Sequence, residues 1–256
     1  MGSDEIDMLA GGFSALWKGV RDGGSRSRAG LSLEEIVSAA VEIADERGLA
    51  DVSMARVAKR VGYSTMALYR HVPNKGELLA LMFDAGVGEP PDHLLQIPGW
   101  RARLHEYATV FATIFRRRPW LIDIPVSGPP VGPNNIAMLN IGLTALEETG
   151  LDIRDRLDVF MVLTNYLLGT QRLEIEMSRT GEAARQAGAA VNEAVYGRVL
   201  RRLLPPGKYA AVDAAIAAGA FDDEDEDTDA QLHHAVDHIL DGIELLMKRR
   251  GVSSPD

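Results

Sequence analysis

Apolar side chains recur along this chain at the three-and-four spacing of an α-helix, and nowhere do they alternate over a stretch long enough for a strand. Leu33, Ile36, Val37, Ala40 and Ala44 form the first stripe. Ser32 with Glu35 makes a capping box ahead of it and Gly48 stands where such a helix ends, so the pattern predicts a helix over residues 33–47. Met54, Val57, Ala58 and Val61 then share one face of a short helix that Ser53 can cap, with Arg56, Lys59 and Arg60 on the other face. Gly62 closes it, at a point where the backbone commonly needs positive φ. Ser64 caps a second short helix, residues 65–71, in which Ala67 and Leu68 can face inward while Thr65, Met66, Tyr69 and the ends of Arg70 and His71 point out. Pro73 forbids continuation, and Asn74 with Glu77 starts another helix at Lys75 that runs to about residue 85.

Two short helices around a tight turn, with a basic outer face, are what a protein needs to lay one helix in the DNA major groove. Residues 31–86 thus read as one compact helical unit. The stretch 86–99, with Pro90, Pro91 and Pro98, reads as an internal boundary. Beyond it the pattern predicts helices over residues 100–118, 133–148, 152–177, 182–204, 209–218 and 229–250, several of them bounded by Pro119, Pro133, Pro205 or Pro206. The expected fold is all-α: an N-terminal extension (1–30), a three-helix helix-turn-helix domain (31–86), a second helical domain (87–250) and a short disordered tail (251–256).

Charge sharpens the assignment. The 256-residue chain carries a net −10, yet residues 52–76 contain no Asp or Glu and five basic side chains, Arg56, Lys59, Arg60, Arg70 and Lys75. Exposed charges interact over a Debye length of about 8 Å at physiological salt, so a locally basic surface can hold phosphate on an acidic protein. Seven carboxylates are concentrated in residues 222–229, which read as a solvated loop; without them the chain totals only −3. Arg26 and Arg28 sit in a Ser/Gly-rich, acid-free arm before the first helix, which can enter an adjacent minor groove or stay a disordered leader. The absence of Cys excludes disulfides, Cys-ligated zinc and thiol catalysis. No apolar run reaches the roughly 18 residues of a membrane span and no secretory signal opens the chain, so a cytoplasmic protein without membrane contact is expected.

Residues 31–85 resemble the DNA-binding domain of the TetR family of transcriptional regulators, notably in Ala40, Gly48, Val57, Ala58, Gly62, Leu68, Tyr69, His71, Val72, Lys75 and Leu78. Residues 116–132 (RRRPWLIDIPVSGPPVG) and 165–169 (NYLLG) resemble its tetracycline-repressor-like branch. The resemblance implies that the second domain binds a ligand and dimerises, that Thr65, Met66, Ala67, Tyr69 and His71 face bases or phosphates, and that Lys75 contacts the backbone. The chemistry agrees: Tyr69 and His71 can donate to phosphate oxygens, Thr65 can reach a base edge, and Met66 and Ala67 can meet a thymine methyl. Ser53, Arg56 and Arg70 complete the expected DNA-facing set. Many family members carry Arg at the place of Ala55, so guanine readout from that position is lost here.

One reader helix covers only a few base pairs, so a two-fold dimer on double-stranded operator DNA is expected, with residues 182–204 and 229–250 as its helices. The apolar stripe offered for this is Leu232, Val236, Ile239, Leu240, Ile243 and Leu246, with packing inside the chain as the alternative use of the same side chains. Tyr107, Phe111, Trp120, Met138, Asn165, Tyr166 and Gln171, polar and aromatic groups among apolar ones, are the candidate lining for a partly apolar small-molecule effector. The expected function is a ligand-responsive repressor released from its operator by that molecule, with no cofactor. Two other readings stand beside it: a helical interaction module whose basic hairpin binds an acidic protein, and a metal-dependent enzyme built on His233, His234, His238 and Asp241.

Overall fold

The computed structural model describes residues 13–14, 16–17, 30–125, 130–186, 193–221 and 228–252, and no strand occurs among them. From the first domain onward the helices are α1 (Leu33–Arg47), α2 (Met54–Val61), α3 (Thr65–Tyr69), α4 (Lys75–Val87), α5 (Trp100–Arg117), α6 (Pro133–Glu147), α7 (Ile153–Gln186), α8 (Glu193–Leu203), α9 (Ala210–Ala217) and α10 (Thr228–Arg250). Three 3₁₀ turns, Leu49–Asp51, Asp92–Gln96 and Pro119–Asp123, join some of them.

Polar caps set the first four helices. Ser32 Oγ accepts the Glu35 N–H at 3.1 Å while the Glu35 carboxylate accepts the Ser32 N–H at 2.9 Å, a complete capping box on α1. Ser53, Ser64 and Asn74 each accept the N–H three residues on, at 3.3, 3.3 and 2.9 Å. Gly62 ends α2 in the left-handed region (φ 76°, ψ 24°), and the N–H groups of Gly62 and Tyr63 both return to the Ala58 carbonyl. At five residues, α3 is far too short to persist alone. Burial holds it: Leu68 and Val72 are fully buried, as are Ile36, Ala40, Val52, Val57, Leu78 and Leu81 of the surrounding elements.

The described residues gather into two compact units, residues 1–162 with 243–256, and residues 163–242. In the first, a row of aromatic rings runs from Phe83 of α4 through Phe115, Phe111 and Tyr107 of α5 to Phe160 of α7, with neighbouring centroids 4.8 to 6.5 Å apart. In the second, Leu163, Leu167, Leu232, Val236 and Leu240 are buried and Tyr196 meets Phe221 edge-on at 5.6 Å. Compactness divides the chain away from the composition break at residues 86–99, because α4 packs on α6.

Two expectations are corrected. A single 34-residue helix, α7, continues to Gln186, where a stop near residue 177 and a new start at residue 182 were expected. Gly181 lowers helix propensity but keeps its N–H, so it does not break a ladder as proline does. The stripe assigned to dimerisation on α10 is buried within the chain: Leu232, Val236, Leu240 and Ile243 are at most 3% exposed, and Ile239 and Leu246 are half-buried.

Candidate nucleic-acid interface

The inner side of α3 is closed by Leu68, and its outer side is open. Met66 is 69% exposed and Tyr69 44%, while Thr65 and Ala67 are half-buried. Arg70, His71 and Lys75 follow on exposed backbone, Lys75 as the first residue of α4. Ser53 is half-buried, its hydroxyl engaged as a cap, and Ala55 is exposed. Tyr63, at 47% exposure in the turn between the two short helices, belongs to the same surface. Nothing in the apolar pattern singled it out, since it lies outside both helices.

The five cations are not equivalent. Arg56 pairs with Asp51, and Arg60 reaches back to Glu42 at 3.2 Å and Glu46 at 2.6 Å on α1. The hydrogen bond from Arg60 holds the Glu46 carboxyl below its usual range. Lys59, Arg70 and Lys75 are exposed with no ion-pair partner among the described residues. The acid-free stretch therefore overstates the basic face, because the partners of Arg56 and Arg60 lie outside it in sequence. Arg26 and Arg28 lie outside the described residues.

Residues 36–82 match the family described as bacterial regulatory proteins, tetR family, and residues 95–247 match the tetracyclin repressor-like C-terminal domain. The HTH-type transcriptional repressor DrrR1 of Streptomyces coeruleorubidus is 33% identical over 252 residues, covering 96% of this chain and 90% of that one. The chain belongs to the TetR family. It is a DNA-binding transcriptional regulator rather than an enzyme.

Solved TetR-family structures share the fold at lower identity. Apo ActR from Streptomyces coelicolor superposes with a TM-score of 0.66 at 21% identity, over 88% of this chain and 100% of that one. ActR has also been solved in complex with actinorhodin (TM-score 0.64, 22% identity, 84% and 96% covered). BioQ with its double-stranded DNA operator matches at a TM-score of 0.50 and 22% identity, over 57% of this chain and 89% of that one.

Within this TetR-family chain, two carboxylates tie the DNA-binding helices to the helices that follow. Asp45 of α1 accepts the Trp120 indole N–H at 2.7 Å and Arg118 Nε at 3.3 Å, and Arg118 Nη1 donates to the Gly86 carbonyl at 2.9 Å. Asp84 of α4 is 1% exposed and caps α6, accepting the N–H groups of Asn134 at 3.3 Å and Asn135 at 2.9 Å and the Asn135 side-chain amide at 2.7 Å. The Asn134 amide returns to the Asp84 carbonyl at 3.0 Å. Gly132 precedes α6 and has no side chain to cap it, and a Cβ there would collide with Asp84. No short motif carries these contacts: their partners are 32 to 75 residues apart.

The candidate effector residues divide. Tyr107 is 2% exposed, with its hydroxyl pKa pushed up by burial, and its ring neighbours Phe111 at 6.4 Å. Met138 is buried on α6. Trp120 is buried too, but its one polar atom is committed to Asp45, which makes it a joint residue. In the second unit Gln171 is fully buried, donates to Glu174 at 3.1 Å, and has no hydrogen-bond partner for Oε1. Tyr166 is half-buried. Asn165, expected to line the effector site, is exposed. Among the described residues no group of three or more His, Cys, Asp or Glu is arranged to hold a metal, and no helix is long and apolar enough to cross a membrane.

Proposed function

We propose that this chain is a homodimeric repressor that grips operator DNA through α3 and leaves it when a small, partly apolar molecule binds the helices beyond residue 94. The observation that carries the reading is α3 itself, a helix of one and a half turns buried on one side, with Met66 and Tyr69 uncovered on the other. Tyr69, His71 and Lys75 serve as phosphate contacts that set register, with Lys59, Arg70 and Tyr63 around them. Thr65, Met66 and Ala67 read base edges, Met66 suiting a thymine methyl. Ala55 offers no donor to guanine, so specificity shifts to α3.

A second copy supplies the second reader. Ile153, Leu157 and Met161 are exposed at four-residue spacing at the start of α7, and Leu245 is exposed near the end of α10. Arg250 clamps the two helices, meeting Asp155 at 2.7 and 2.8 Å. A run of large apolar groups at the surface is what an isologous interface buries.

For the effector, the tetracyclin repressor-like match over residues 95–247 and the likeness to ActR, a protein solved with actinorhodin, support a ligand-binding role. Gln171 is placed to answer a hydroxyl or amine on the ligand, since its buried Oε1 needs a donor. Binding acts by differential affinity for the dimer form whose reader helices are wrongly spaced, and the joints at Asp45 and Asp84 carry that spacing to α1 and α4. Selection from a random-sequence duplex pool tests the reading: an inverted repeat with half-sites a helical turn or more apart is expected, and failure to enrich any sequence refutes it.

A further inference from the structure

We propose that His234 and His238 form a two-histidine chelate for a borderline divalent transition cation, Zn²⁺ or Ni²⁺, on the outer face of α10. The two residues are four apart and so neighbours on the helix surface, where their rings meet edge to face with centroids 4.6 Å apart. Both are exposed. His238 Nδ1 lies 2.8 Å from the His234 carbonyl oxygen, and a carbonyl only accepts. Nδ1 therefore carries the proton and donates, which leaves Nε2 with its lone pair directed outward. A metal-binding imidazole commonly has its other nitrogen held in this way by a backbone carbonyl.

The surroundings favour a cation. Asp237 and Asp241 flank His238 on the same helix. An all-imidazole donor pair suits zinc, nickel or copper and not magnesium or calcium, which take oxygen ligands. His233 points about a quarter-turn away on the helix, so it is not a member of the pair. Water completes the coordination, as it does at open sites. The site stands independently of the DNA and effector readings but not of the dimer reading, because His238 lies seven residues before Leu245 and shares its side of α10.

Calorimetric titration of the tag-free, full-length chain with ZnSO₄, NiSO₄ and MgSO₄ tests the site. Saturable uptake of one Zn²⁺ or Ni²⁺ per chain is expected, lost in His234→Ala and in His238→Ala and kept in His233→Ala and His93→Ala, with no saturable uptake of Mg²⁺. Both side chains are exposed on the single chain, so each variant should keep its wild-type circular dichroism, and light scattering of each variant separates lost uptake from lost self-association. The proposal is overturned by absence of saturable uptake in the wild type, by uptake that survives both substitutions, or by Mg²⁺ binding with the same dependence on the pair.

Discussion

Trp120 donates its indole N–H to Asp45 at 2.7 Å and so joins the turn after α5 to the last turns of α1. The same carboxylate takes Arg118, which also holds the Gly86 carbonyl at the end of α4. Asp45→Ala leaves a buried indole N–H and a half-buried guanidinium without their acceptor, a loss of about 1.5–3 kcal/mol. The expected result is a thermal midpoint lowered by roughly 2–4 °C for each kcal/mol. None of these groups lies on the outer side of α3, so any accompanying change in operator affinity acts through the placement of the reader. An unchanged midpoint together with unchanged affinity contradicts the joint.

Asp84 makes the second joint, and its removal acts differently. Asp84→Ala strips α6 of its cap and strands the N–H groups of Asn134 and Asn135, again about 1.5–3 kcal/mol. Asp84→Asn keeps an acceptor oxygen and should recover part of that loss. Denaturant midpoints of the two variants decide it: equal destabilisation contradicts the capping role.

Lys75→Ala and Tyr69→Ala test the DNA face without disturbing the core, because both side chains are exposed. Each should weaken operator binding while circular dichroism and oligomeric state stay unchanged. For Lys75→Ala the slope of log K against log salt should fall by about 0.9, the signature of one lost phosphate contact. A slope equal to that of the wild type removes Lys75 from the interface.

Leu157→Glu tests self-association. A carboxylate forced into an apolar, desolvated contact costs about 3–5 kcal/mol, enough to turn a dimer into monomers at micromolar concentration. Light scattering reads the mass directly. A variant that stays dimeric places the interface elsewhere.

Much of the first domain was legible in the sequence because its signals are local. Ser32 with Glu35, Ser53, Ser64, Asn74 and Gly62 each act within three or four residues, and all of them cap or close helices as their spacing requires. What escaped was long-range. The partners of Arg56 and Arg60, the joint roles of Trp120 and Asp84, and the burial of Leu232, Val236 and Leu240 depend on elements far apart in the chain. The pattern told which side of α10 was apolar and not what would cover it. Gly181 misled in the opposite sense, as a weak helix former inside a helix long enough to carry it.

The most direct test of the central claim, that α3 reads operator DNA, is a salt titration of binding to the selected duplex and to a scrambled duplex of the same composition. The account predicts affinity for the selected sequence higher by at least about 10³-fold, with a steep salt dependence on both duplexes and the sequence preference diminished in Met66→Ala and Thr65→Ala. Equal and weak binding to the two duplexes, at every salt concentration, would contradict it.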